Sequence, residues 1–414
     1  MFYTFIGTQP LAANSAGSRT DGNILDRMAV LVMFALSLVI LWSKRRAAIT
    51  CILTNWALLS VVSCCVMSII WSEYPDLTLR RGIWLIFIVS ITLAIAVGTT
   101  DLRRLHTLLF ASLTGIVLLN LVVTALVPSI AISELGVRGI YTQKNVAGIV
   151  AMITIIFGAS WIVGAQTWKS RLAGIVALLP VLVFLVVTRS KTSISLTALG
   201  LCLIIYFSLA ERFGARFILA TAFLGFLLLS SALLLLAAVD FDLDLVVQGA
   251  IGDSSFTGRD ELWAFAHREA TKHYWLGHGY GAFWDVGLAN DPLKRVEIGS
   301  WLSYVETGVI NQAHNGYLDL WLQIGWPMTI VAMLAVMART VAGGIQAVLG
   351  RGSRQTRAAL GGFVVLLLLY LLHNLTEATL FARGASLCII SFLALFVLSR
   401  ARYFSDAPSA NLIR

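Results

Sequence analysis

Most of the histidines lie in one polar stretch, and one of them stands where that stretch meets an apolar run. The stretch covers about residues 240–315 and contains four of the six histidines. It ends at His314 and Asn315, where the next apolar run begins. Histidine titrates near neutral pH, so a histidine at this position is a candidate general base for chemistry at a membrane surface. A structural hydrogen bond is the alternative.

Five cations also occupy loops that should lack them. By the orientation derived below, these loops face away from the cytoplasm, where positive residues are normally sparse. Arginine binds phosphate well because its planar fork donates to two oxygens at once. Convergence of these side chains would create a diphosphate site, whereas snorkelling to lipid headgroups is the alternative. The five residues are Arg138, Lys144, Arg189, Lys191 and Arg259.

Two other histidines remain as secondary catalytic candidates. His278 lies in the glycine-rich segment 277–281, which we interpret as a tight turn rather than a nucleotide-binding loop, because no βαβ unit surrounds it. His373 ends an apolar run on the same side as His314, together with Asn374 and Glu377.

No cluster with convincing metal-ligand spacing is visible. The acidic run from Asp240 to Asp244 could hold a divalent ion, but alternating acids beside a membrane span favour a solvated turn. The five cysteines all fall inside apolar runs, where a free thiol usually acts as a small hydrophobic group. We therefore expect no metal, no other cofactor and no disulfide.

The composition indicates a membrane protein. The chain is 58% hydrophobic and 12% charged, whereas soluble proteins carry about 25% charged residues. The net charge of +9 does not indicate nucleic-acid binding, because the basic residues sit in short clusters between apolar runs. The first 25 residues lack a cationic start and a clean apolar core, so we expect no cleavable signal peptide.

The apolar runs predict an all-α polytopic membrane protein with about eleven (10–12) transmembrane helices and one large periplasmic loop. Residues 1–239 would hold the first eight spans, residues 240–315 the loop with short helices, and residues 316–414 the last three spans and a cytoplasmic tail, as one integrated domain. The predicted spans are 25–43, 47–71, 83–99, 105–127, 145–164, 172–188, 192–210, 216–239, 315–338, 358–373 and 385–400.

Loop charge sets the predicted orientation. Basic clusters near Lys44, Arg103, Lys169, Arg212 and Arg351 alternate consistently and should face the cytoplasm. The 240–315 loop then lies outside.

Within that loop, one helix should begin near Thr257 and end at about His273. Thr257 and Asp260 have the spacing of a capping box, and apolar residues follow at helical intervals. Arg259 would then sit in the first turn, where the helix dipole disfavours a cation. An anionic ligand would relieve that conflict, and so would pairing with a nearby acid.

Several short segments resemble the O-antigen ligase and polysaccharide polymerase superfamily. The pattern His314-Asn315-Gly316-Tyr317-Leu318, followed by Gln323-Ile324-Gly325-Trp326-Pro327, is similar to its signature. The order of the matches between about residues 70 and 380 is more specific than any one of them. The other matching segments are 71–75, 139–145, 188–192, 257–263 and 275–281.

The resemblance implies a C-type glycosyltransferase fold with inverting, metal-independent chemistry on undecaprenyl-diphosphate-linked sugars. It assigns the base to His314 and the diphosphate contacts to Arg189 and Arg259, with Lys144 beside them. Lys191, Arg138, His278 and His373 remain further candidates. Members often have one span more than the eleven predicted here.

The resemblance also implies a multi-pass protein of the bacterial inner membrane with its site on the periplasmic side. Its partners would be a lipid-linked oligosaccharide donor, a glycan acceptor, the bilayer and a chain-length regulator protein, but no nucleic acid. The overall sequence is most similar to polymerases of the succinoglycan kind. A ligase that transfers glycan to lipid A core is one alternative, and a transporter or flippase is another. A transporter should carry ionisable groups at mid-membrane, and the predicted spans contain almost none.

Overall fold

The computed structural model describes residues 24–237, 259–296 and 299–406. The described chain is built from helices, with one two-stranded sheet. Inside a bilayer the backbone must satisfy its own hydrogen bonds, which is why apolar runs of this length form helices. The predicted all-α membrane architecture is confirmed.

The helices before the large loop follow the predicted spans closely. They are α1 (Ile24–Ser43), α2 (Arg45–Thr54), α3 (Trp56–Met67), α4 (Pro75–Gly98), α5 (Leu102–Leu126), α6 (Pro128–Ala131), α7 (Lys144–Gly164), α8 (Trp168–Thr188), α9 (Lys191–Phe213) and α10 (Ala215–Ala237). A short 3-10 turn covers Ser68–Ile70, and strands β1 (Ile132–Ser133) and β2 (Gly136–Val137) pair antiparallel between α6 and α7.

The rest of the described chain holds the loop and the last helices. They are α11 (Arg259–Lys272), α12 (Gly316–Ile324), α13 (Trp326–Leu349), α14 (Arg354–His373), α15 (Ser386–Ser399) and α16 (Ala401–Asp406). Three 3-10 turns, Leu288–Asn290, Pro292–Arg295 and Trp301–Tyr304, lie between α11 and α12.

Seven described helices are long and apolar enough to cross a membrane, namely α4, α5, α7, α8, α9, α13 and α14. Helices α1 and α2 could form an eighth span, but they are bent by 99° at the break between them. Three further apolar helices are shorter and cover Trp56–Ile70, Arg216–Leu228 and Ser386–Ser399. Every predicted span therefore coincides with a helix or a pair of adjoining helices.

Two predicted spans are broken, which corrects the sequence analysis. The predicted helix 47–71 is interrupted at Asn55, whose side-chain amide donates to the Cys51 carbonyl at 2.7 Å. Asparagine offers the backbone this local alternative to the helical ladder.

The predicted span 315–338 is divided at Gly325, which has φ +82°. Pro327 then lies in the first turn of α13, where its missing N–H removes no helical bond.

Helices α7 and α14 form the centre of the bundle. In the most apolar 18-residue stretch of each helix, 72% of the residues of α7 and 78% of those of α14 are buried. Helix α7 packs against α5, α8, α9 and α14, while α14 also contacts α13 and α15. The start of α7 and the end of α14, which contribute to the site described below, therefore belong to the two most buried of these helices.

The large loop has its own hydrophobic cluster. Helix α11 buries Leu262, Phe265, Ala266, Glu269 and Ala270, the face that its sequence periodicity predicted. The cluster also includes Trp321 and Leu322 of α12. This packing fastens the loop to α12, the helix that follows His314.

The glycine segment 277–281 forms the predicted tight turn. Gly277, Gly279 and Gly281 all have positive φ. The amides of His278 and Gly279 donate to the carbonyls of Leu322 and Gln323 at 2.7 and 3.0 Å. A Cβ on Gly277 would lie 2.5 Å from the Gln323 backbone, so only glycine permits this approach.

Candidate functional site

Polar side chains from several helix ends meet at one end of the bundle. They come from the first turn of α7, the turn between α8 and α9, the start of α11, the residues before α12 and the segment after α14. Glu377, in that last segment, connects most of them.

His314 and Glu377 form the centre of this network. The Nδ1 atom of His314 lies 3.0 Å from Oε2 of Glu377. The His314 side chain is 33% exposed and that of Glu377 only 8%. A carboxylate at Nδ1 fixes the ring orientation and leaves the lone pair of Nε2 available for a proton.

The backbone around His314 is held from both sides. Asp319 accepts a bond from the Ala313 amide, and Trp263 of α11 donates to the Ala313 carbonyl, both at 2.9 Å. Asn315 caps α12 by accepting from the amides of Tyr317 and Leu318. His314 itself has φ +51°, a conformation that is strained for a residue with a side chain.

The buried Asp319 carboxyl is one of these supports. Burial raises its pKa to about 6, although the Ala313 amide and the Trp284 indole donate to it and act in the opposite direction.

Glu377 carries further contacts besides His314. Its Oε1 atom accepts from Nδ2 of Asn145 at 3.2 Å and lies 3.4 Å from Nη2 of Arg259. Burial acts to raise its pKa, but the hydrogen bond and charge of His314, and then the charge of Arg259, lower it more. The pKa of Glu377 therefore lies below its ordinary value, and the group is a stable anion beside the histidine.

Arg259 thus pairs with an acid, which is one of the two alternatives that its position in the helix left open. Its Nη1 also donates to the Thr376 carbonyl at 2.6 Å. The side chain is 25% exposed, so part of the guanidinium still faces the solvent.

Arg189 lies beside the same network. It adopts φ +53° at the end of α8, and its side chain is exposed. The neighbouring Ser190 is buried and donates from Oγ to Oδ1 of Asn145 at 3.3 Å. Arg189 is therefore connected through Ser190 and Asn145 to Glu377.

The other predicted cations have more local roles. The Lys144 amine donates to the carbonyls of Leu135 and Arg189 at 3.0 and 3.4 Å. These bonds position the backbone next to the Arg189 side chain. Arg138 donates to the Ile130 carbonyl at 2.8 Å, and Lys191 is exposed at the start of α9.

The two secondary histidines are both buried. His373 is 1% exposed and contacts Thr379 Oγ1 at 3.2 Å. His278 is 2% exposed and belongs to a separate cluster with Glu73 and His273. Neither is open to a substrate. Thr257 and the acidic run from Asp240 to Asp244 lie outside the described residues.

A cavity of about 740 Å³ adjoins the network. Gln143, Gln312 and Ala378 line it, and they are sequence neighbours of Lys144, His314 and Glu377. Its other walls combine arginine side chains with apolar ones, a lining suited to an amphiphile with an anionic headgroup. The lining includes Arg27, Arg80, Arg81 and Arg383 together with Leu31, Trp84 and Phe87, and also Asp285 and Asp319.

The chain is similar to one known protein family over part of its length. The O-antigen ligase family matches residues 175–333, a region that includes Arg189, Arg259 and His314. This match and the multi-pass helical fold confirm the resemblance to the O-antigen ligase and polysaccharide polymerase superfamily.

One curated relative is more specific. The chain is 28% identical over 278 residues to the exopolysaccharide production protein ExoQ of Rhizobium meliloti strain 1021. The match covers 65% of this chain and 60% of that protein.

Proposed function

We propose that this protein is an inverting membrane glycosyltransferase that polymerises undecaprenyl-diphosphate-linked oligosaccharide repeats at the periplasmic face of the bacterial inner membrane. The observation that carries the proposal is the contact between His314 Nδ1 and Glu377 Oε2, beside Arg259 and the large cavity.

In the proposed reaction, a hydroxyl group of the acceptor sugar attacks the anomeric carbon of the donor. Nε2 of His314 accepts the hydroxyl proton as the new C–O bond forms. Glu377 holds the ring through Nδ1 and stabilises the imidazolium that results. The old bond to the lipid diphosphate breaks, and the diphosphate leaves as an anion.

The leaving group needs cations more than a proton donor. Arg189 offers an exposed guanidinium, and Arg259 retains an exposed part of its own. Both can donate to phosphate oxygens in charge-assisted bonds. One base and a cationic contact surface therefore suffice, without the carboxylate pair of glycoside hydrolases.

Polymerisation is favoured over ligation by the relative named for exopolysaccharide production. The matching family is named for O-antigen ligases, so transfer of a finished glycan to lipid A core is the second candidate. In a polymerase both substrates are lipid-linked, whereas a ligase uses a different acceptor.

Glycan analysis of a deletion strain distinguishes these functions. Accumulation of single lipid-linked repeats is expected for a polymerase, and accumulation of unligated polymer would indicate a ligase. Repeats retained on the cytoplasmic side would indicate a transporter and contradict the proposal. Complementation with His314→Ala should fail to restore the polymer although the variant inserts normally.

A further inference from the structure

A second group of titratable side chains lies away from His314. Glu73, in the segment before α4, meets His273 and His278, which follow α11. One ligand atom from each residue lies within 4.8 Å of the other two. This cluster is not visible in the sequence, because 200 or more residues separate Glu73 from both histidines.

The hydrogen bonds of His278 are the first indication of a bound cation. Its Nδ1 lies 2.9 Å from Oε1 of Glu73, and its Nε2 lies 3.3 Å from the Glu269 carbonyl. Both neighbours are acceptors, yet a neutral imidazole has only one N–H. If Nε2 donates this N–H to the Glu269 carbonyl, the lone pair of Nδ1 faces the Glu73 carboxylate, and a shared metal ion would satisfy both groups. A ligating histidine typically donates its other N–H to a backbone carbonyl, as Nε2 can do here.

The second imidazole supplies a third possible ligand atom. Nε2 of His273 lies 3.9 Å from the same Oε1 atom of Glu73, and the two histidine rings are 4.2 Å apart. For tetrahedral zinc with bonds of about 2.0–2.1 Å, neighbouring ligand atoms lie about 3.3–3.5 Å apart. The distances of 2.9 and 3.9 Å to Glu73 lie on either side of that value, so small side-chain movements would complete the geometry.

The contacts of the Glu73 carboxylate leave one of its oxygens, Oε1, available as a metal ligand. Oε2 of Glu73 lies 3.4 Å from Nη2 of Arg295, while Oε1 faces the histidines. Arg295 in turn contacts Glu269 at 3.4 Å, and Glu269 also pairs with Lys272 at 2.6 Å. These contacts orient Glu73 so that one oxygen points to the two imidazoles, as an outer hydrogen-bond shell does in a metal site.

We propose that Glu73, His273 and His278 bind a divalent ion of the zinc class, with water as the remaining ligand. Two neutral imidazoles and one carboxylate form a ligand set that suits zinc. His273 and Glu73 are partly exposed, with side-chain exposures of 47% and 35%, so an ion can reach the site from solvent.

The position of the site gives the ion a structural role. The Glu73 amide donates to the His278 carbonyl at 3.4 Å, and the next amides in the glycine turn bond to the end of α12. The ion would thus fasten the segment before α4 to the large loop, and through the turn to the helix that follows His314. It takes no part in the transfer reaction itself.

Zinc binding by the purified full-length protein tests the proposal. The protein should carry an affinity tag without histidines, be stripped of metal by a chelator, and be dialysed against zinc chloride. We expect about one tightly bound zinc per chain and a higher thermal midpoint with zinc than without it. His273→Ala and Glu73→Gln should each weaken zinc binding by about tenfold or more and abolish the shift in the midpoint.

His267→Ala is the matched control, because His267 is an exposed histidine on α11 outside the cluster. It should bind zinc as the wild type does, since its ring makes only an edge-to-face contact with Trp321. A wild-type protein that binds no zinc at micromolar concentrations would overturn the proposal. Unchanged zinc binding by both cluster variants would overturn it as well. Both readouts are independent of glycan transfer.

Discussion

His314 and Glu377 lie 63 residues apart in the sequence, yet Nδ1 of the histidine is 3.0 Å from Oε2 of the glutamate. The contact joins the residue before α12 to the segment after α14. It gives the histidine a fixed orientation and a buried negative charge, and both favour the proposed role as a general base. The contact also explains why Arg259 can occupy the first turn of α11, since Glu377 supplies its counter-charge.

Removal of the carboxylate should therefore impair transfer. In Glu377→Gln an amide still reaches His314, but it cannot stabilise the imidazolium, and Arg259 loses its ion pair. We expect transfer to fall on the order of 10²–10⁴-fold, measured with purified protein and lipid-linked repeats. Glu306→Gln is the control, because Glu306 is an exposed loop residue. Full activity of Glu377→Gln would show that the Glu377 carboxylate does not assist the transfer reaction.

The same residue predicts a pH dependence of stability. Burial acts to raise the pKa of Glu377, but His314 and Arg259 lower it below its ordinary value. A lowered pKa in the folded state contributes stability at pH values above the unfolded pKa of about 4.3, and that stability is lost as the pH falls through the folded pKa. The difference in thermal midpoint between wild type and Glu377→Gln should persist from pH 7 to about pH 5 and shrink below about pH 4.3. A difference that already disappears between pH 7 and pH 6 would contradict this assignment.

The arginines should act mainly on donor binding. Charge-assisted bonds contribute about 1.5–3 kcal/mol each, so Arg189→Ala should weaken binding of the lipid-linked donor by roughly 10–10²-fold. The Arg189 side chain is exposed, so insertion and stability should change little. Lysine should rescue poorly because it lacks the planar fork. Arg212→Ala, on an exposed arginine at the opposite end of α9, is the control.

Arg259→Ala should show a second defect. Its contact with Glu377 links it to His314, so transfer from bound donor should fall as well as binding. Arg268→Ala, an exposed arginine on the same helix, serves as its control. Normal donor binding by both the Arg189 and Arg259 alanine variants would exclude them as phosphate ligands.

The break between α12 and α13 should be sensitive to substitution. Gly325 has φ +82°, and a Cβ there would lie within van der Waals overlap of the Trp275 carbonyl oxygen. Gly325→Ala should lower the free energy of unfolding by about 1–3 kcal/mol from backbone strain, and the steric overlap should add to this loss. The thermal midpoint of the purified protein measures this loss. Gly225→Ala, where a Cβ meets nothing within 4 Å, should not lower the midpoint, because alanine is the better helix former inside α10; equal midpoints for the two variants would contradict the close approach.

Local patterns in the sequence predicted much of this structure. The apolar spacing on α11 identified its buried face, including Phe265 and Ala270. The glycines at 277–281 predicted a tight turn because glycine adopts positive φ more readily than any other residue. The break at Gly325 was missed, although the sequence Gly325-Trp326-Pro327 contained the signal. The apolar run continued on both sides and masked it.

The site was predicted less completely, because its contacts join distant segments. His314, Arg189 and Arg259 were identified individually from residue type and predicted side of the membrane. Glu377 was noticed next to His373 but was not assigned a role. Its signal was an acid on the outer side at the end of an apolar run, yet only the packing of α14 shows which histidine it contacts. Asn145 was missed for the same reason.

The central claim is that His314 is the general base, and donor binding combined with transfer by His314→Ala tests it most directly. Both should be measured on the same purified variant with a lipid-linked repeat. We predict that transfer falls by about 10²–10⁴-fold, while donor affinity stays within about twofold of wild type, because phosphate contacts and not the base hold the donor. Normal transfer by His314→Ala, or a loss of donor binding as its main defect, would contradict the account.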